Sequence, residues 1–536
     1  MDWADELATS VSGPQVVNDS KTPSGTIHVG SLRGPVILDV IVRALRSRGL
    51  ETTLLYGIDD LDPMDAQALL TPDAVDRYMG APLAHVPDVA DDGHASYARH
   101  FAGIFVDTFA GLGIHPDRYY WMSELYAAGE MDRYLRVALE RAAMVREIYR
   151  TVSHVERPEG WLPVHVICPR CGKVGTTLAR DWDGETVAVE CLPDLVEWAT
   201  GCGFSGRVAP FGGAAKLPWN LEWAAQWSHF GVTIEPCGKD LATAGGSRDR
   251  SDAIARQVFD REPPLNVPYE FLNIGGKKMS TSKGRGAAAH EVAEVVPPEQ
   301  LRFLFVRPRP NHAMDWDPQG TDAVPRLFDE FDRVAAASAG IPVKGELPPE
   351  PERLFAAALL DPAADVVAEG SRYRPPFAHL ALLTQIPGVS VVDRLSAEKG
   401  SSLDARELEI LGEREAAARA WRESYAPERS RLAVQRDGLP QLAAGLEPAQ
   451  RSALASLADA VDPLPASAWN GETLQAAIFD AARAAGVPAG RAFAAIYAAF
   501  LGQPHGPRAG WLLASLERPF VVERLRAAAA ADTLPA

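Results

Sequence analysis

The sequence predicts an α/β domain built on a parallel sheet and followed by an all-α domain. Three observations carry this reading. The N-terminal stretch alternates strand, helix and strand; a cysteine-bearing segment interrupts the pattern; and the C-terminal third is rich in Ala, Leu, Glu and Arg with helical periodicity. Pro14-Gln15-Val16-Val17-Asn18 reads as a short apolar strand, and Asp19 to Gly25 as the loop behind it. A helix then places Leu32, Val36, Ile37, Val40, Ile41, Ala44 and Leu45 on one face at three- and four-residue spacing and stops at Gly49. Thr52 to Ile58 forms the second strand and ends in the acidic cluster Asp59-Asp60-Leu61-Asp62. Strand, helix and strand of these lengths make a right-handed parallel unit.

The cysteine-bearing segment runs from about Tyr149 to Gly213, and the α/β pattern resumes near Trp219 and continues past Lys283. Gly345-Glu346-Leu347-Pro348-Pro349-Glu350-Pro351 reads as a linker. Among 536 residues, 47% are hydrophobic and 23% charged, a globular balance that excludes a mostly disordered or collagen-like chain. Lys and Arg total 53 against 71 Asp and Glu, a formal charge of −18, which argues against indiscriminate coating of nucleic acid. No apolar run reaches the ~20 residues of a membrane span. The acidic start Met1-Asp2-Trp3-Ala4-Asp5-Glu6 lacks the basic region of a secretory signal, and five cysteines make no disulfide framework. A cytoplasmic location is expected.

Two segments carry phosphate chemistry. Pro23-Ser24-Gly25-Thr26-Ile27-His28-Val29-Gly30-Ser31 follows a strand and opens a helix, placing backbone N–H groups and a helix dipole where a phosphate can sit. His28 is placed to hydrogen-bond phosphate oxygens as charge builds on them, and Pro35 must lie in the first helical turn. Far downstream, Gly275-Gly276-Lys277-Lys278-Met279-Ser280-Thr281-Ser282-Lys283-Gly284 is glycine-flanked, hydroxyl-rich and basic, as suits a loop that wraps and neutralises a triphosphate.

Together the two segments resemble the paired signatures of class I aminoacyl-tRNA synthetases. His28-Val29-Gly30-Ser31 is similar to the "HIGH" element and Lys278-Met279-Ser280-Thr281-Ser282 to "KMSKS", with Thr281 in place of the usual lysine and Lys283 close behind. Wider stretches resemble class I lysyl-tRNA synthetase, the archaeal type also found in some bacteria. They are Thr22 to Gly30, Leu217 to Trp223, Glu235 to Asp240 with Gly245-Gly246-Ser247, Tyr269-Glu270-Phe271, and more loosely Gly502 to Arg508 and Phe520 to Leu525. One departure is Leu241, where the family usually has histidine after Gly-Lys-Asp.

The resemblance implies a Rossmann-type class I synthetase catalytic domain with a cysteine-bearing insertion and an all-α C-terminal domain. The expected boundaries are 1–150 for the first catalytic half, 151–213 for the insertion, 214–295 for the second half with the lysine loop, 296–345 for a connecting stem, and 346–536 for a helical anticodon-binding domain. It further implies ATP-dependent ligation of L-lysine to tRNA(Lys) through lysyl-adenylate, with Mg²⁺ accompanying ATP. His28 and Lys278 are the expected catalytic residues. Pro23, Ser24, Gly25, His28, Val29, Gly30, Ser31, Lys278, Met279, Ser280, Thr281, Ser282 and Lys283 are the expected ATP contacts. The alternatives are another class I synthetase, for glutamate or arginine, and a catalytically silent tRNA-binding paralogue.

Recognition of an ammonium group needs a fixed carboxylate, best flanked by aromatic faces. Asp59, Asp60, Trp219, Asp240, Tyr269 and Glu270 are the candidates, the first two lying at a strand end where α/β ligands bind. Trp219 and Trp223, four apart, fit equally the core face of a helix. Cys168-Pro169-Arg170-Cys171 forms a zinc knuckle that Cys191 and Cys202 would complete as a structural Zn²⁺ site, His165 and Asp194 being other possible fourth ligands. Arg133, Arg136, Arg141, Arg146 and Arg150 recur along one predicted helix, as either phosphate-tracking residues or a solvated face.

Overall fold

The computed structural model describes residues 2–65, 71–90, 92–278, 287–386, 389–431 and 433–531. The chain divides into two compact units. The first comprises Met1–Ala293, Pro298–Trp316 and Pro348–Ala364, and the second Glu294–Pro297, Asp317–Leu347 and Asp365–Ala536.

The first unit is organised by parallel strands β1 (Gln15–Lys21), β2 (Thr52–Ile58) and β3 (Arg118–Trp121), paired in that order. Across the other edge of β1, Val17 bridges Ile234, and Ile234 bridges Leu265, both in parallel. The order β3-β2-β1 followed by two segments from the chain's second half puts β1 at the point where a doubly wound sheet reverses direction. Such sheets open their ligand crevice beyond the carboxyl end of that strand. The last five residues of β2 are all buried, as expected for a parallel strand covered on both faces.

Helix Arg33–Ser47 follows β1 with Pro35 in its first turn, where the missing N–H costs no hydrogen bond. Gly49, at φ +76°, turns the chain into β2 in a conformation open to glycine. A buried arginine ties distant pieces of this unit together. Arg302, fully buried, donates to Asp39 Oδ2 (2.6 Å) and to the carbonyls of Leu112 (2.9 Å) and Ala357 (2.9 Å). Ala357 lies on helix Pro351–Ala358, so the expected boundary at 346 is corrected: 348–364 packs in the first unit, and 317–347 groups with the helical unit. The short proline-rich run is too brief to separate domains because Pro351 itself opens a helix.

The cysteine-bearing insertion is a small antiparallel sheet of Thr177–Arg180, Val187–Cys191 and Ser205–Val208. The single arginine-rich helix is also corrected. It is two helices, Asp132–Glu140 and Ala142–Ser153, broken at Arg141. Their arginines are engaged within the molecule: Arg136 with Gly184 O and the rings of Trp182 and Phe211, Arg141 with Val258 O and Asp260, Arg146 with Trp161 O, and Arg150 with Glu147.

The second unit is helical. Helix Ala405–Ser424 begins with a capping box in which Asp404 and Glu407 satisfy each other's backbone N–H groups. Helices Pro448–Val461, Gly471–Ala484, Ala489–Leu501 and Arg518–Ala530 share one apolar core around Leu454, Leu474, Ile496, Phe500 and Leu525. No single helix among the described residues is long and apolar enough to cross a membrane.

Gly57 on β2 has no room for a side chain, since a Cβ there would enter the ring of Tyr120. Tyr120 in turn donates to Asn18 Oδ1 (3.1 Å) in the middle of β1. Gly57→Ala is expected to destabilise the first unit by about 1–3 kcal/mol, read as a lower denaturant midpoint by tryptophan fluorescence.

Candidate active site

A cavity of about 410 Å³ opens beyond the carboxyl end of β1. Asp19, Ser20, Lys21 and Thr22 from β1 and its exit, and Ser24, His28, Gly30 and Ser31 from the loop and turn that follow, line it. The second half of the chain contributes Trp219, Trp223, Glu235, Asp240, Leu241, Tyr269 and Phe271.

The loop between β1 and the following helix runs from an extended segment into a helix, as the sequence predicts. His28 is extended (φ −76°, ψ 154°) and precedes a 3-10 turn, Val29–Leu32, that runs into helix Arg33–Ser47. His28, Gly30 and Ser31 therefore meet the cavity at the positive end of a helix. Of the other expected ATP contacts, Ser24 lines the cavity, Val29 is fully buried in the core, and Pro23 and Gly25 lie outside the lining. Met279, Ser280, Thr281, Ser282 and Lys283 lie outside the described residues. The flanks of that loop do converge on His28. On one side Leu272–Ile274 pairs with Lys277–Lys278 as a hairpin, with Asn273 opposite Lys278. On the other side His28 bridges Ala288, and Val29 N–H donates to Ala287 O (2.9 Å). Two segments some 250 residues apart thus meet at one helix tip.

Arg33 holds the second half of the chain against that tip. Its buried guanidinium donates to the carbonyls of Glu270 (2.7 Å), Arg309 (3.1 Å), Pro310 (3.1 Å) and His312 (2.9 Å). Burial lowers its pKa to about 10, so it stays charged at neutral pH.

The floor of the cavity is acidic. Asp19, Asp59 and Glu235 line it, and burial is the largest influence on each. Asp19 is pushed up to about 8, burial being reinforced by the charge of Glu235. Asp59 rises to about 6, with Asp62 adding to the effect of burial, and Glu235 to about 7. Each is nonetheless held in place. Glu235 accepts from Trp223 Nε1 (2.5 Å), Trp227 Nε1 (2.8 Å) and Asn18 Nδ2 (2.9 Å). Asp59 accepts from Ser20 Oγ (2.8 Å) and Gln226 Nε2 (2.9 Å). Neutral donors orient these carboxyls without cancelling their charge. Trp219 stacks on Trp223 with centroids 5.2 Å apart, so the tryptophan pair is both helix face and cavity wall.

The remaining acidic candidates are used elsewhere. Asp60 accepts from the backbone N–H (2.8 Å) and Oγ (2.5 Å) of Ser123, and Glu270 pairs with Lys239; neither lines the cavity. Asp62 is taken up by buried Lys216 (2.5 Å), which also meets Glu222 (2.8 Å), and by Thr22 Oγ1 (2.7 Å). Sequence reasoning did not single out Asp19 or Glu235. The usable signal was position, since Asn18-Asp19-Ser20 ends β1 and Glu235 follows the strand segment beside it.

The four predicted metal-binding cysteines come together, with sulfurs all within 4.8 Å of one another. Cys168 and Cys202 are 3.6 Å apart and Cys171 and Cys191 3.7 Å apart. These separations match the ~3.8 Å edge of a tetrahedron with ~2.3 Å Zn–S bonds. Cys202 is depressed to about 7 through backbone and thiol hydrogen bonds that outweigh burial, while burial raises Cys171 to about 12. His165 and Asp194 stand outside the cluster.

Residues 1–347 match the family model described as tRNA synthetases class I (K), and residues 440–529 match an anticodon binding domain. The chain belongs to the class I aminoacyl-tRNA synthetases. Within that class it belongs to the lysine family, class I (K). It is 32% identical to the lysine–tRNA ligase of Archaeoglobus fulgidus, over 98% of this chain and 100% of that one. It is 31% identical to lysine–tRNA ligase 1 of Methanosarcina acetivorans, over 98% of each chain. A lysine–tRNA ligase of Pyrococcus furiosus is likewise 31% identical, over 98% of this chain and 99% of that one.

The raised carboxyl of Glu235 makes a signed prediction. Between its ordinary value of 4.5 and about 7 the folded chain keeps a proton that the unfolded chain releases. That contribution to stability is fully present below 4.5 and is lost as pH rises through 7. Relative to Glu235→Gln, the ligand-free parent should therefore lose on the order of 3 kcal/mol between about pH 5 and 8, measured as the difference in denaturant midpoints. A pH-independent difference would contradict it.

Proposed function

We propose that this chain ligates L-lysine to tRNA(Lys) in two ATP-dependent steps, and that the cavity beyond β1 is where both occur. The acidic floor is the observation that carries the choice of amino acid. Asp19, Asp59 and Glu235 are carboxyls on the cavity wall held by neutral donors, the last two buried, and the charged state of each is disfavoured until a cation enters. The lysine ammonium supplies that cation, and the Trp219–Trp223 stack and Tyr269 supply aromatic walls for its stem and charge. A glutamate side chain would add a negative charge to that floor. Full-length similarity to lysine–tRNA ligases supports the same reading.

In the first step a carboxylate oxygen of lysine attacks the α-phosphorus of ATP. The bond to the bridging oxygen breaks and pyrophosphate leaves, giving lysyl-adenylate. In the second step the 2′-hydroxyl of the tRNA's terminal adenosine attacks the activated carbonyl, loses its proton and expels AMP. Both steps depend on positioning and charge neutralisation. His28 and Gly30, which line the cavity, take the phosphates, and Lys278, on the strand paired with Leu272–Ile274, supplies positive charge to them. Mg²⁺ would be held by the triphosphate. The helical second unit, containing the matched anticodon domain, takes the other end of the tRNA. Cys168, Cys171, Cys191 and Cys202 would hold a structural zinc ion away from the chemistry, fixing the turns of the insertion.

Lys278→Ala is expected to slow adenylate formation about 10²–10³-fold while leaving lysine affinity, read by calorimetry, within about twofold. Lysine-dependent pyrophosphate exchange at the parent rate, with tRNA present, would refute the role given to Lys278.

A further inference from the structure

Ser24 and His28 line the cavity, but Ser24 to Ile27 belong to no strand or helix, so the shape of this loop has to be held from outside. Helix Tyr97–Gly111 supplies one such hold. Tyr97, which opens the helix and is only 1% exposed, donates its hydroxyl to the carbonyl of Ser24 (3.0 Å). Burial pushes that hydroxyl up to about 12, so it keeps its proton and remains a donor at neutral pH. The ring is fixed independently of the bond: it packs 4.6 Å from Phe101, centroid to centroid, in an apolar cluster with Met64, Met79 and Leu83. Further along the same helix, Phe101, Ile104 and Phe105 meet Thr26, Ile27 and Ala289 around a small gap. Ala289 N–H donates to Ile27 O (2.9 Å), so the helix braces both the loop before His28 and the segment that returns from the lysine loop.

Granted that lysine is activated in this cavity, we infer that Tyr97 is a positioning residue for adenylate formation, its hydroxyl setting through the Ser24 carbonyl the loop that presents His28 to the phosphates. The peptide unit is planar, so a carbonyl fixed on one side fixes the N–H of Gly25 on the other. Gly25, at φ +147°, then takes a backbone conformation open to glycine and carries the chain on toward His28. Groups that stabilise charge in a transition state act only when held in place beforehand, and misalignment costs rate even while the groups themselves remain. A phenylalanine at position 97 would keep the packing against Phe101 and lose the hydrogen bond, which separates the two contributions of this side chain.

The test compares lysine-dependent ATP–pyrophosphate exchange by the full-length parent and Tyr97→Phe, with tRNA present. In the variant kcat should fall about 3–10-fold, with the KM for lysine within about twofold of the parent. Met79→Ala, which trims the same apolar cluster and leaves the hydroxyl in place, should lower the denaturant midpoint while keeping kcat within about twofold. An active parent matched in kcat by Tyr97→Phe would overturn the role given to Tyr97 alone. An equal loss of kcat in Met79→Ala would mark general loosening and overturn it as well. A parent inactive with lysine would overturn the assignment of the reaction, and the role of Tyr97 with it.

Discussion

The candidate active site is governed by carboxyls placed where burial disfavours their charge. Asp19, Asp59 and Glu235 line one cavity, Asp59 and Glu235 almost wholly buried, and only neutral N–H and O–H groups orient those two. Elsewhere in the same unit buried charge is paired inside the protein: Arg302 with Asp39, and Lys216 with Asp62 and Glu222. The contrast is physical. A buried charge compensated by the fold serves the fold, whereas one left for a ligand destabilises the empty protein and rewards the right cation.

Those carboxyls have to be brought beside the helix tip that carries His28, and the connections doing so span the chain. β1 supplies both, since Asp19 lies near its carboxyl end and the loop behind it carries His28. Ile234 adds alongside β1 and delivers Glu235. Arg33, just past the tip, grips four carbonyls from residues 270–312 and so fixes the strand that leads to the lysine loop. The insertion between the halves closes on itself through its own sheet and cysteines, which lets it interrupt the catalytic domain without disturbing it.

Much of this was legible in the sequence because local rules and the tertiary fold agree. The period-3.6 face of the helix after β1, the first-turn proline and the glycine-rich loop each have one structural solution, and all three occur. The cysteine spacing was legible for the same reason, although pairing Cys191 with Cys202 required the sheet that brings them together. What failed was the assignment of charge. Asp59, Asp60 and Asp62 are neighbours in sequence, but one faces the cavity, one caps Ser123 and one pairs with Lys216. A strand end turns successive side chains in different directions, and composition carries no trace of which. The arginine run was open to the same ambiguity, because its members bind carbonyls and rings of other segments of the chain.

The direct measurement of the account is ATP–pyrophosphate exchange with each standard amino acid in turn, with tRNA present throughout. Exchange that depends on L-lysine alone is the outcome an unneutralised acidic floor requires. Comparable exchange with glutamate or arginine, or none with lysine, would contradict it.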